Sequence, residues 1–149
     1  MKAQEVHDIL IEILGPEMRR LGFRRLSGSA AGWYRAENPV YLLVYSHISW
    51  TGFDDNYGNW FALEFAYASS TRKNAIIKTV VRHSALLTAS QKNDLTMVQD
   101  EARADIPVFN PSGEYHGELR YYNSRHVRDY AAIMAEAMEA MLTVFKKSD

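Results

Sequence analysis

The chain has 149 residues, no cysteine and a net charge of -1. That length suits one domain with a core of its own. The missing thiols exclude disulfides, thiolate metal sites and cysteine nucleophiles, and the near-neutral charge gives no global pull toward nucleic acid or membrane. No apolar run approaches the roughly 18 residues of a membrane span, and the first ten residues carry acids and a His where a secretory signal would be apolar. The expectation is a soluble cytoplasmic protein.

Residues 3–21 read as an amphipathic helix. Val6, Ile9, Leu10, Ile13, Leu14, Met18 and Leu21 recur at helical spacing on one stripe. Gly15-Pro16 predicts a kink or short break, because proline removes an amide donor and crowds the preceding turn. Gly22 is placed to cap the helix. Short strands follow at 23–26 and 32–37, separated by SGSAAG and closed by an Asn38-Pro39 turn.

The centre of the chain predicts a long β-hairpin. VYLLVYSHISW (40–50) and NWFALEFAYAS (59–69) flank the polar turn TGFDDNYG. In the first strand Val40, Leu42, Val44, Ile48 and Trp50 share the apolar face. In the second, Phe61, Leu63, Phe65 and Tyr67 do. Turning both sets inward requires paired residue numbers with an odd sum. A sum of 111 sets Trp50 against Phe61, Ile48 against Leu63 and His47 against Glu64. The other face then shows Tyr41, Tyr45, His47 and Glu64 among small alanines.

Residues 70–82 suit either a helix or a strand. Thr88 and Gln91 form a capping-box pattern opening a helix to about Ala104, with Leu95, Val98 and Ala102 inward. Residues 105–117 read as a loop and 118–122 as a fifth strand at an edge. Asn123 or Ser124 caps a last helix whose stripe runs Val127, Tyr130, Ala131, Met134, Met138, Met141, Leu142 and Phe145. The fold class is α+β: an antiparallel sheet of four or five strands, packed on one face by the N- and C-terminal helices.

Chemical motifs are sparse. Asp54, Asp55 and Asn56 lack the alternating ligands and distal Glu of a calcium loop and suit a turn. His7, His47, His83, His116 and His126 make no HExxH or i, i+4 pair. No phosphate loop, nucleophile elbow or dinucleotide fingerprint is present, so neither metal nor cofactor is expected. Arg19, Arg20, Arg24 and Arg25 form one basic cluster, and Arg120, Arg125 and Arg128 another. Both have acids close by and read as solvated faces rather than a nucleic-acid site. The outer-face His47–Glu64 pair has no nucleophile beside it, because Ser46 points to the other face. Aromatic side chains are common anchors of interfaces. The candidate binding residues are therefore Tyr41, Tyr45, His47 and Glu64, with Phe53 and Tyr57 at the hairpin tip.

The order helix, LGFRR, turn, WYR, long apolar strand and FALEFAYAS resembles the bacterial family of unknown function numbered 4304, over 21–69. The resemblance implies a bacterial origin and brings no catalytic residues. Similar small domains occur among toxin-immunity and accessory proteins. The expectation is a non-enzymatic protein-binding domain, immunity-like or regulatory, with an unidentified protein partner. The alternative is a small-molecule-binding domain or enzyme with a pocket between sheet and helices.

Overall fold

The structure, a computed structural model, describes residues 1–28, 30–72, 75–108 and 117–147. The helices are α1 (Ala3–Arg20), α2 (Ala89–Asp105) and α3 (Ser124–Lys147). The strands are β1 (Arg24–Arg25), β2 (Gly32–Ala36), β3 (Tyr41–Ile48), β4 (Asn59–Ala68), β5 (Ile77–Arg82) and β6 (Leu119–Tyr121). All pairings are antiparallel, in the order β1-β2-β3-β4-β5, with β6 also on β4. The expected α+β architecture is therefore present. Ser29, His116 and most of the loop expected over 105–117 lie outside the described residues.

α1 and α3 pack against each other and against the sheet face carrying Leu42, Val44, Phe61, Leu63 and Phe65. Leu10, Leu14, Met138 and Leu142 are buried there, with Ile13 partly buried at the margin. α1 runs through Pro16 without a break, one of the two outcomes expected there. Its buried stripe continues on both sides of the proline, from Val6 to Met18, so packing holds the helix where local chemistry would weaken it.

α2 rests on α3 and β6. Its first turn is closed by the expected box: the Gln91 amide donates to Thr88 Oγ1 at 3.2 Å, and the Thr88 amide to Gln91 Oε1 at 2.9 Å. Thr88→Ala is expected to cost about 1 kcal/mol, read as a lower urea midpoint with unchanged slope. An unchanged midpoint would mean that the cap contributes nothing. α3 is capped by Asn123, whose Oδ1 accepts from the His126 amide at 3.2 Å. The buried His126 ring returns the favour: its Nδ1 accepts from the Tyr122 amide at 3.0 Å, and its Nε2 lies 2.8 Å from Asp105 at the end of α2.

The hairpin keeps the expected faces in a different register. Paired numbers sum to 109, so Ile48 faces Phe61, Tyr45 faces Glu64 and His47 faces Ala62. A slip of two preserves every in–out assignment, because side chains alternate with period two. The connection causes the slip. Ser49 ends the ladder, and a turn closes from the Gly52 amide to the Ser49 carbonyl. A second turn spans Asp54 to Gly58, with Asp54 Oδ1 accepting from the amides of Asn56 and Tyr57. Gly58 has φ +65°, and a Cβ there would strike the Tyr121 carbonyl of β6, so both backbone and space demand glycine. Trp50, expected against Phe61, is instead thrown out of the strand and is 91% exposed.

The strand at 118–122 is a sixth rather than a fifth, and its Leu119 and Tyr121 are buried. The second edge of β4 is consequently shared: Asn59–Phe61 pair with β6, and Glu64–Ala68 pair with β5. Between those ladders the Leu63 amide donates to Nδ1 of the buried His83 at 3.0 Å. An imidazole thus supplies the acceptor that neither neighbouring strand provides.

Candidate functional site

The sheet face turned away from α1 and α3 carries the candidate residues. Strand alternation puts Tyr41, Tyr45 and His47 of β3 there, with Trp60, Ala62, Glu64 and Ala66 of β4 beside them. His47 is exposed; Tyr41, Tyr45, Trp60 and Glu64 are half-buried, and the alanines form a closed floor beneath.

Glu64 is the centre of this patch. His47 Nδ1 lies 3.9 Å from one of its carboxylate oxygens, and Arg82 Nε of β5 lies 3.9 Å from the other. The His47–Glu64 approach is therefore diagonal, across the register that sets Tyr45 opposite Glu64. Such half-solvated pairs stabilise the fold by less than about 1 kcal/mol. Their weight lies in arrangement. The Tyr45 phenol is pushed up to about 12, chiefly by burial and further by the Glu64 charge it hydrogen-bonds. It remains a hydrogen-bond donor at neutral pH and is tied to that carboxylate.

Trp60 stands between two cationic or aromatic neighbours. The His47 ring is 5.7 Å from it, and the Arg82 guanidinium lies over it at 5.3 Å. Trp60 also joins this patch to the hairpin tip, where a cavity of about 320 Å³ is lined by Thr51, Asp54, Tyr57, Trp60 and Arg120 among others. The tip is tethered from below. Tyr122 Oη donates to the Asp55 carbonyl at 2.7 Å, the Val108 amide donates to the Asn56 carbonyl at 2.8 Å, and the Phe53 ring packs against Tyr122 at 5.4 Å.

The six candidates thus divide. Tyr45, His47 and Glu64 form one cluster. Tyr41 lies further along β3, edge-on to Tyr34 at 6.1 Å. Tyr57 stands out at the tip, 54% exposed, whereas Phe53 packs beneath it on the margin of the core. Three residues belong with this surface although the candidate list omits them. Trp60 was legible, since alternation along β4 places it on the same face as Glu64. Trp50 required the turn geometry. Arg82 required the β4–β5 pairing, which no local pattern announces.

Ser46 turns to the core side, where its Oγ donates to the Ala31 carbonyl at 3.2 Å and lies 3.3 Å from His7 Nδ1. Ser49 Oγ is held by Thr51 Oγ1 at 2.8 Å. Neither hydroxyl faces the His47–Glu64 pair. No group of three or more potential metal ligands occurs among the described residues. The second Arg cluster is committed to carboxylates: Arg120 to Glu118, Arg125 to Asp105 and Arg128 to Glu12. Among the described residues no helix is long and apolar enough to cross a membrane.

Searches against protein-family models, curated proteins and solved structures found no match to this chain.

Proposed function

We propose that this chain is a protein-binding domain, without an enzymatic activity of its own, that docks its partner on the outer sheet face and hairpin tip. The observation that carries the reading is the exposure of Trp50 and Tyr57 on a tip that is itself tethered, next to the Trp60, His47 and Tyr45 surface. Large aromatic side chains supply much of the free energy of interfaces, and they do so at least cost when already held in place. A Trp left 91% exposed gains more from burial by a partner than any other side chain here.

Among the described residues Leu10, Leu14, Val44, Leu63, Phe65 and Met138 are buried against one another between helices and sheet, where a pocket for a small ligand was the alternative. An immunity-like or regulatory role in a bacterium is the setting that the resemblance of 21–69 implies.

The test replaces Tyr45 and Tyr57 by Ala together and uses parent and variant as parallel baits. The tip and face contribute little to the core, so circular dichroism should be unchanged. The variant should retain at least about tenfold less of the partner that the parent retains, a loss of roughly 1.4 kcal/mol. Equal retention by a folded variant would place the interface elsewhere.

A further inference from the structure

β5 is a sheet edge. It pairs with β4 on one side, and no described strand lies on the other. An unpaired edge presents a row of free amides and carbonyls, a ready template for one more strand. Apolar side chains face solvent here as well: Ile76, just before the strand, is 65% exposed, and Ile77 and Val80 within it are 48% and 50% exposed. Two cavities flank the start of the strand. One, of about 540 Å³, is lined by Ile77, Leu43 and Tyr45 among others; the other, of about 130 Å³, by Ile76, Tyr67 and Lys78 among others. An added strand projects alternate side chains to opposite faces of the sheet, so both cavities are in reach of one extended segment.

Charge selects the occupant. Lys78 and Arg72 have no carboxylate within ion-pair distance among the described residues. A second copy of this chain, paired antiparallel, would bring Lys78 and Arg82 against another Lys78 and Arg82, and like charges across strands are destabilising. The ladder shifts register between Phe65 and Tyr67, with Thr79 at φ 57°, so regular pairing of any added strand is confined to the residues on either side of that bulge.

We infer that the free edge of β5 takes up an extended segment of a partner protein as an additional strand, with acidic side chains on the face of Lys78 and apolar ones on the opposite face, where Ile77 lies. This rests on the protein-binding reading and names the partner's chemistry, while using a contact separate from Trp50 and Tyr57.

The probe is a blocked synthetic peptide of about eight residues, a common strand length, alternating valine and glutamate. Its sister alternates valine and lysine. Amide shifts of the 15N-labelled protein should concentrate at 76–82 with the acidic peptide. Lys78→Glu, an exposed charge reversal compatible with the fold, should weaken that peptide at least about tenfold and strengthen the basic one. Trp50→Ala should leave peptide binding unchanged. Partner loss in Trp50→Ala with intact peptide binding, or the reverse, therefore separates failure of one surface from failure of the other, Tyr45 being left in place because it lines the larger cavity. No shifts at millimolar peptide, shifts centred elsewhere, or equal binding of both peptides would overturn the inference. So would concentration-dependent dimerisation of the free protein through the same amides.

Discussion

Phe65→Ala is expected to remove about 3–5 kcal/mol of stability, the largest loss from any substitution considered. Phe65 lies at the middle of β4, fully buried, with Val44 opposite it on β3 and Val81 opposite it on β5. Its ring meets Phe145 of α3 at 5.9 Å, and Tyr67, on the same face of β4, meets the same Phe145 ring at 5.0 Å. The side chain therefore ties three strands to the C-terminal helix at one point. The neighbours are strands and a helix already packed on other sides, so they can collapse only partly into the space left. Single domains are stable by about 5–15 kcal/mol, so the variant should sit near the edge of folding at 37 °C. Urea unfolding measures the loss. A cost below about 1 kcal/mol would show that this face of β4 is not the core face.

Acid should weaken the fold through His83. The ring is fully buried behind β4, and burial holds it down to about 4 from its ordinary value of 6.5, with the adjacent Arg82 charge acting in the same direction. The Leu63 carbonyl, 3.3 Å from Nδ1 and able to accept from a protonated ring, opposes this shift but does not outweigh it. Between those values the unfolded chain binds a proton that the folded chain refuses. The His83 contribution is therefore intact above pH 6.5 and is lost as pH falls toward 4. Between pH 7.5 and 4.5 it amounts to roughly 2–3 kcal/mol. Other groups titrate in this window, including the half-buried His7, which desolvation also holds below its ordinary value. Comparison with His83→Gln isolates the term, since both proteins share the rest. The parent should lose roughly 2–3 kcal/mol more than the variant over this range in urea unfolding. Equal losses would mean that the ring is protonated in the folded state as readily as in the unfolded one.

How much of this was legible depends on the range of the interaction. Both long helices were written in their apolar stripes, and the Thr88–Gln91 box in four consecutive residues. The two faces of the hairpin were legible for the same reason: alternation is a local property of β3 and β4. The register was not, because it depends on how residues 49–58 fold into two turns, and no turn-pair signal such as Asn-Gly appears there. The turn that ends the ladder at Ser49 moved Trp50 from an expected core position to the surface, and the slip turned the His47–Glu64 pair from opposite to diagonal. β5 was ambiguous because its exposed Ile77 and Val80, with Ile76 just before the strand, imitate a buried run. Arg82 at Glu64 and His83 at the Leu63 amide follow from pairing β5 with β4, which only the assembled sheet reveals. Pro16 illustrates the converse: a strong local signal for a kink or break did not interrupt the helix that the α1–α3 packing holds.

Site-specific photocrosslinking tests the central claim most directly. A benzophenone side chain is placed at Trp50 on the hairpin tip and, in a second protein, at Met97, an exposed position on α2. Both sites are solvent-facing, so neither replacement should disturb the fold, and each reports only what lies within a few ångströms of it. After irradiation in extract from the source cells, the protein labelled at position 50 should yield one discrete crosslinked partner, and the one labelled at position 97 should not. The same partner captured from position 97 alone, equal capture from both, or capture from neither would contradict an interface on the outer sheet face and hairpin tip.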